Sequence, residues 1–441
     1  MFHIVYNDYL PSGNSMKLAL LLLVSVVSFA KVDPSLQAQL KNELTPFGAI
    51  KAGNGKDIPE WNDVYDNLAD EKPLLTITHE NYQQYKENLT AGQTALFERY
   101  ETFQMPIYPS HRTAVAPSWV YDNTFENAIH AELNKDQSGY ENAKGGTPFP
   151  VPNSALEIYF NHIARWRGQQ VESMFSDAVV EKSGQFTLIT NKALVRYDAY
   201  IPNHKSKNFI SVIGKTLAPA TRSGSGVLVL EPLDQLNNHR SAWLWDKGRR
   251  RAIRAPNVAY DNVVQTSGGL RTVDDTDMIS GSPDRYDWKM LEKREIYIPY
   301  NNEKLDSKEL RYRDILTKNH INPVYTRYEL HRVWVIEATL KEKWRHVYSK
   351  RTFYIDEDTW QVVIADQYNK VGDLWRVSIA YPKFFKEMPG VFSVINVFHD
   401  LVSKRYHVMG LENEVKSAAK YNGEIAKDSL FTPSGFKRFM R

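Results

Sequence analysis

The sequence predicts a mainly β protein with helices, an α+β chain built on one curved antiparallel sheet. Two observations carry this: an unbroken series of alternating segments from Tyr328 to Tyr381, and further strand-like segments ahead of it. In the first segment Tyr328, Leu330, Trp334, Ile336, Ala338 and Leu340 alternate with polar Glu329, His331, Glu337 and Thr339. Arg332 interrupts the apolar set, and Val333 and Val335 interrupt the polar one. A period of two puts successive side chains on opposite faces of a sheet. The pattern resumes through Val347, Phe353 and Ile355, then Asp356, Glu357 and Asp358 supply turn chemistry before Trp360, Val362 and Ile364. After a second turn at Asn369, Gly372 and Asp373, it returns in Trp375, Val377, Ile379 and Tyr381. Parallel crossovers need about a dozen residues or more, so these short connections predict an antiparallel meander.

The first 152 residues have a different character. Residues Met16 to Ala30 carry one positive charge, an apolar run from Leu18 to Val27 and small residues at Ser28 and Ala30, the pattern of a cleaved secretory signal. That run is short against the roughly 20 residues of a membrane span. The pattern implies export, most simply to the periplasm, with residues 1–30 as leader and signal and translation beginning at Met1 or Met16. There is no cysteine, which excludes disulfides, thiol nucleophiles, thiolate metal sites and lipidation of an N-terminal cysteine.

Residues 31–152 combine helix signals with proline-bounded segments. Thr78 is placed to cap a helix over His79 to Leu89, and a second helix is predicted from Gln93 to Tyr100. The stretches Met105 to Trp119 and Gly145 to Pro152 hold too many prolines for central strands and read as straps crossing a surface.

From residue 153 onward the chain is predicted as a lid helix plus the sheet. Asn153 or Ser154 caps a helix over Ala155 to Trp166, with Leu156, Tyr159, Phe160 and Ile163 on one stripe. Strands are predicted at Gln185 to Thr190, Leu194 to Ile201, Phe209 to Leu217, Gly226 to Glu231, Ser241 to Asp246, Arg250 to Ala255 and Asp287 to Ile298. With the meander that makes about eleven, enough that a flat sheet would curl or close. No repeat of ~20 to 50 residues suggests a propeller or solenoid.

Composition narrows the function classes. The chain has 441 residues, 42% hydrophobic and 24% charged, with 25 Tyr and 10 Trp, a composition that favours β-structure. A net charge of +3 is too small to point to nucleic acid. No nucleophile elbow, zincin helix or phosphate loop is present, and Gly53, Asn54 and Gly55 lack the third glycine and the strand of a dinucleotide loop. Hence no cofactor and no metal are predicted. The acidic group Asp274, Asp275, Asp277 and Asp284 matches no calcium-loop spacing and reads as caps and turns.

Two polar groups remain. Arg249, Arg250, Arg251 and Arg254 follow Trp243 and Trp245 and could meet anionic head groups, an acidic partner or the Asp274 group. On a strand, Arg249 and Arg251 would face away from Arg250. His331, Arg332 and Glu337 suggest acid–base chemistry, but His331 and Glu337 stand roughly 20 Å apart along a strand. Pairing of Glu337 with Lys350 or Arg351 is the better use of it.

Seven ordered blocks then resemble the bacterial domain-of-unknown-function family 1329: Thr45 to Trp61, Tyr108 to Ala128, Gly145 to Pro152, Asn161 to Gly168, Arg250 to Asn262, Ser282 to Met290 and Arg327 to Trp360. That family is similar to the lipoprotein carriers LolA and LolB. The resemblance implies a half-barrel partly closed by helices, here with a helical lid and N-terminal straps. It also implies an RND-type exporter and an outer-membrane β-barrel as partners, and it supplies no catalytic residue. The chain departs from the family in lacking a Gly/Pro-rich segment after Trp61, which implies an altered cavity rim.

The expectation is therefore a non-enzymatic periplasmic carrier, binding a lipid or other amphiphile through Trp334, Ile336, Val362, Ile364, Trp375 and Val377. It would pass that cargo between the exporter and the outer membrane. The alternatives are a non-carrying adaptor of an export complex and an exported hydrolase using His331, His346 or His399.

Overall fold

The computed structural model describes residues 34–62, 68, 70–202, 207–255 and 260–441. The leader and signal expected at residues 1–30, and most positions just after Trp61, lie outside the described residues. Helix α1 (Pro34–Gln39) is followed by strand β1 (Leu75–Ile77), helix α2 (Ala91–Arg99), strand β2 (Met105–Ile107) and helix α3 (Ser118–His130). A ribbon of β3 (Glu132–Leu133) and β4 (Tyr140–Glu141) leads to helix α4 (Ala155–Ala164). Next come β5 (Gln170–Val180), β6 (Phe186–Tyr197), β7 (Asn208–Ala218), β8 (Gly226–Pro232), β9 (Ser241–Asp246), β10 (Arg251–Arg254) and β11 (Tyr286–Pro299). The single-turn helix α5 (Tyr312–Ile315) precedes β12 (Tyr328–Leu340), β13 (Lys350–Asp356), β14 (Val362–Tyr368) and β15 (Leu374–Phe385). The chain ends with β16 (Gly390–Asp400), β17 (Arg405–Leu411), β18 (Lys420–Tyr421) and helix α6 (Pro433–Phe439).

Sixteen strands form one open sheet in the order β1-β2-β12-β13-β14-β15-β16-β17-β5-β6-β7-β8-β9-β10, with β11 on β12 and β18 on β5. All pairings are antiparallel except the contact of β2 with β12 at Ile107 and Tyr328. The mainly β class with helices and the β12 to β15 meander agree with the sequence. No helix among the described residues is long and apolar enough to cross a membrane.

Several elements differ from expectation for identifiable reasons. The strands expected at Gln185 to Thr190 and Leu194 to Ile201 merge into one, β6, which pairs continuously with β5 through Asn191 and Lys192 and ends at Tyr197, before a 3-10 turn at Asp198–Tyr200. Strands β5, β16 and β17 were not anticipated. In β16 ten of the eleven residues are buried, so both faces are covered and no alternation survives in the sequence. The helix expected over His79 to Leu89 is a 3-10 helix at Tyr82–Asn88. Ahead of it the Asn81 side chain bonds the Thr78 N–H at 2.7 Å and the Thr76 carbonyl at 3.1 Å, holding a turn. Of the strap expected from Met105 to Trp119, residues 108–117 are irregular as expected, while β2 takes its first three residues and helix α3, with Pro117 at its N-cap, takes its last two. Gly145 to Pro152 is likewise an irregular segment, half-buried to buried along its length.

The other helix starts follow their capping chemistry. In α2 the Thr90 hydroxyl accepts from the Gln93 N–H at 3.0 Å while the Gln93 side chain accepts from the Thr90 N–H at 2.9 Å. In α4 the Ser154 hydroxyl accepts from the Glu157 N–H at 3.2 Å. The expected stripe on α4 is only half right. Tyr159 and Phe160 are buried, but Leu156 and Ile163 are half-buried, while Ile158, Asn161 and His162 on neighbouring faces are fully covered.

Both faces of the central sheet are packed. On one, Val377, Ile379 and Tyr381 of β15 cluster with Leu96 and Phe97 of α2 and with Tyr312 and Ile315 of α5. On the other, Ile336, Phe353 and Val362 cluster with Ile158, Tyr159 and Phe160 of α4. Helix α2 approaches the sheet closely because its second residue is Gly92. A Cβ there would collide with the Asp366 carboxylate and come within 2.7 Å of Val377.

Asp366 itself yields a pH-dependent expectation. Burial pushes its carboxyl up to about 7, against bonds from the Gly92 N–H at 3.1 Å and the Tyr354 hydroxyl at 3.3 Å. The folded value stands above the unfolded one, so the folded chain binds this proton more tightly. The stabilisation is complete below the unfolded value and is lost as pH rises through about 7. Asp366→Asn is fixed in the neutral form. Its urea midpoint should therefore exceed that of the wild type at pH 8 and match it at pH 4.5. An equal difference at both pH values would refute this.

Candidate functional site

The structure divides five of the six residues expected to line a cavity among three clusters and leaves Trp375 outside them. Trp334, Ile336 and Val362 share the cluster under α4, Ile364 joins Val333, Val335 and Tyr354, and Val377 lies on the α2 face. Ile336, Val362, Ile364 and Val377 are buried in packed interior, while Trp334 and Trp375 keep some accessible surface. Trp334 stacks on Trp360 with ring centres 6.3 Å apart and carries the Lys293 ammonium 4.2 Å over its ring. Trp375 lies under the Arg376 guanidinium at 4.1 Å. Parity along a strand sorts residues by face but says nothing of what covers each face.

An apolar surface that is not fully covered lies on the β7 to β10 wing. Val212 pairs with Val229, Val229 with Ala242, Val227 with Leu244, and Leu244 with Ile253, so these residues share one face. Val212, Val227 and Val229 are half-buried, and Leu244 and Ile253 are 44% and 39% exposed. The reverse face is closed by α6, whose Phe436 packs with Leu194, Ile213 and Leu228 and meets the Trp245 ring at 5.7 Å. The alternation of Phe209 to Leu217 and Gly226 to Glu231 carried this signal, and it was not assigned to a site.

The arginine cluster sits at the exposed end of the same wing. Strand β10 begins at Arg251 rather than Arg250, because Arg249 and Arg250 occupy the hairpin turn, with Arg250 at φ 48°. The expected facing of Arg249 and Arg251 against Arg250 therefore does not arise. Arg251 lies opposite Asp246 on the Leu244 and Ile253 face, and Arg254 lies opposite Trp243 on the other. All four arginines are exposed, and Arg249 reaches Asp246 at 3.8 Å. The edge strand is thus charged at its rim, which also discourages pairing with another sheet.

The remaining polar candidates are buried ion pairs. Asp274 and Asp275 bind Arg351 at 2.9 and 2.5 Å, and Asp274 also meets His346 at 3.0 Å. Asp277 binds Arg165 at 2.6 Å and also pairs with Arg167. Asp284 accepts from the Tyr260 hydroxyl at 2.9 Å. Asp274, Asp275 and Asp277 are thereby held by arginines of the sheet and the α4 end, and none of the three by the Arg249 to Arg254 cluster. Glu337 pairs with Lys350 at 3.3 Å, as expected, and Arg332 reaches Glu357 at 3.4 Å. His331 meets Glu329 at 3.1 Å rather than Glu337. His331 and His346 are within reach of a carboxylate, yet both are buried, each 1% exposed. His399 is buried too, and burial drives it down to about 3.

The sequence pattern of a family described as protein of unknown function (DUF1329) matches residues 76–437. The chain belongs to the DUF1329 family. The uncharacterized protein PA3922 of Pseudomonas aeruginosa is 40% identical over 441 residues, covering 96% of each chain. Among solved structures, a DUF1329 family protein from Desulfovibrio piger is 13% identical, covering 64% of this chain and 96% of its own, with a TM-score of 0.43. The LolA superfamily protein NE2245 from Nitrosomonas europaea is 14% identical, covering 64% of this chain and 100% of its own, with a TM-score of 0.39.

Proposed function

We propose that this DUF1329 protein is a periplasmic carrier that holds the tail of a lipid or other amphiphile on the β7 to β10 wing and its head group at the hairpin arginines. One observation carries the proposal: the half-exposed strip of Val212, Val227, Val229, Leu244 and Ile253 ends beside Arg251 and the hairpin residues Arg249 and Arg250, with Arg254 on the opposite face of the same edge strand. An apolar stripe running into a cationic rim matches the two ends of an anionic amphiphile. Each exposed methylene costs about 0.8 kcal/mol, so a 16-carbon chain crossing water unaided faces roughly 12 kcal/mol. Burial against the wing offsets much of that without any bond being broken.

In this reading the open sheet acts as a half-barrel, α4 acts as its lid, and Trp334, Ile336, Val362, Ile364, Trp375 and Val377 belong to the packed half of the sheet from which the wing extends. Transfer between an RND-type exporter and the outer membrane extends the same proposal. The leader pattern of Met16 to Ala30 and the absence of cysteine support the compartment.

Native mass spectrometry of gently purified protein tests it, together with thermal melting in the presence of lysophospholipid or palmitate. Wild type should carry an amphiphile or melt several degrees higher with one. The double variant Leu244→Glu and Ile253→Glu, altered only at exposed positions, should lose that gain while melting normally alone. A lipid-free wild type that no amphiphile stabilises would sink the proposal. A non-carrying adaptor is favoured by one observation, the close packing on both faces of β12 to β15. It predicts a lipid-free protein that co-purifies with a membrane partner.

A further inference from the structure

Around His331 the buried charges do not balance. His331 comes from β12, Asp356 ends β13 and Asp358 lies in the turn to β14. Each offers one ligand atom, and these atoms all lie within 4.8 Å of one another. Every neighbouring carboxylate has its own cation. Asp358 is held through both oxygens by Arg112 at 2.6 and 2.9 Å, Glu329 by Arg327 at 2.5 Å, and Glu357 by Lys293 at 2.8 Å. Asp356 accepts only from the Thr359 hydroxyl at 2.6 Å and the Asp358 N–H at 3.4 Å. It is fully buried, and among the described residues no Lys, Arg or His nitrogen lies within ion-pair distance of it. A buried carboxylate without a counter-charge is costly.

Two further observations point to what balances it. The Tyr300 ring stacks on His331 with centres 4.0 Å apart, and the residue is 1% exposed. Its hydroxyl has no hydrogen-bond partner among the described residues. The Nε2 of His331 is engaged by Glu329 at 3.1 Å, while Nδ1 faces Asp358 at 4.0 Å. A carboxylate on one ring nitrogen fixes the tautomer and raises the basicity of the other, the usual support of a metal-binding histidine.

We propose that His331 Nδ1, Asp356 and Asp358 form a buried site for a divalent cation of the Mn²⁺ to Zn²⁺ class, with the Tyr300 hydroxyl at its margin. One imidazole and two carboxylates suit such borderline ions. Bonds of about 2.0–2.2 Å require only a modest contraction of the group. Arg112 leaves each Asp358 oxygen a further lone pair, so its bidentate hold is compatible with ligation. The cation would fasten the β13–β14 turn to β12 and, through Arg112, fasten the 108–117 segment to both.

The test uses full-length protein stripped with EDTA, reloaded with ZnCl₂ or MnCl₂, passed over a desalting column, and examined by elemental analysis and thermal melting. Wild type should retain one metal per chain and melt higher with it. Asp356→Asn should bind at least ~10-fold more weakly, with a metal-free melting temperature equal to or above that of the wild type, because no uncompensated charge remains. His331→Gln provides a second variant with the same expected loss of metal. A wild type that retains neither ion, or either variant retaining metal as wild type does, overturns the site.

Discussion

Asp277→Asn is expected to destabilise the protein by about 3–5 kcal/mol. Arg165 is 1% exposed and donates to both oxygens of Asp277, at 2.6 and 2.8 Å, while Arg167, 4% exposed, pairs with the same carboxylate. Two covered guanidinium groups thus depend on one anion, and removing its charge leaves them facing each other without compensation. Asn is the informative replacement because Asp277 has φ 57°, a left-handed backbone that Asn also tolerates, so charge alone changes. Burial works against ionisation of Asp277, yet Arg165 and Arg167 hold its carboxyl well below the usual range. Burial and Arg165 likewise drive His162 down to about 3, so it brings no charge at neutral pH. Because the folded value of Asp277 is depressed, its stabilisation is present above the unfolded value and is lost as pH falls through the folded one. The urea midpoint should therefore drop sharply at pH 7, and the gap from wild type should narrow below about pH 4. A loss under about 1 kcal/mol at pH 7 would mean that the arginines find other partners.

Trp360→Ala should cost about 3–5 kcal/mol by a different route, loss of volume. Trp360 is fully buried where Ile336, Phe353 and Val362 meet α4, and its ring lies nearly parallel to Trp334, at 17°. Its indole N–H donates to the Phe47 carbonyl at 2.9 Å, so truncation also leaves a covered acceptor unpaired. The rigid sheet on one side and α4 on the other limit how far the void can collapse. Trp360→Phe restores most of the volume and should recover more than half of the loss in chemical unfolding followed by circular dichroism. If Trp360→Ala melts within a degree of wild type, the site between α4 and the sheet is not tightly packed.

What the sequence made legible was periodicity at half-covered surfaces. Strands β12 to β15 are legible because Tyr328 to Tyr381 alternate, and α4 because Asn153 or Ser154 offers a cap. Helix α2, by contrast, is expected over Gln93 to Tyr100 and begins two residues earlier, at a Thr90 cap that the sequence reading does not use. Where both faces are covered the pattern disappears, as in the residues of β16, and such strands resemble any apolar run. The same limit governed the site. Ile336, Val362, Ile364 and Val377 have the right period, but their cover comes from α2, α4 and β11, far away in sequence. Asp356 and Asp358 were assigned to turn chemistry because adjacent acids usually serve that purpose. Their neighbours Arg112, His331 and Tyr300 come from three other parts of the chain, and no spacing rule joins them.

The place of β17 in the sheet has a consequence for how the chain is made. Strand β17 joins the β12 to β16 half to β5 and its wing, with Tyr406 opposite Val180 and Val408 opposite Ala178. An emerging polypeptide completes β5 early and must then wait for nearly the whole of its remaining length before that strand gains its second neighbour. Until then β5 presents a bare ladder of backbone donors and acceptors, the kind of edge that recruits other strands. Long-range pairing of this sort is slow to form, so the chain's vulnerability to aggregation should concentrate in the interval before residues 405–411 arrive.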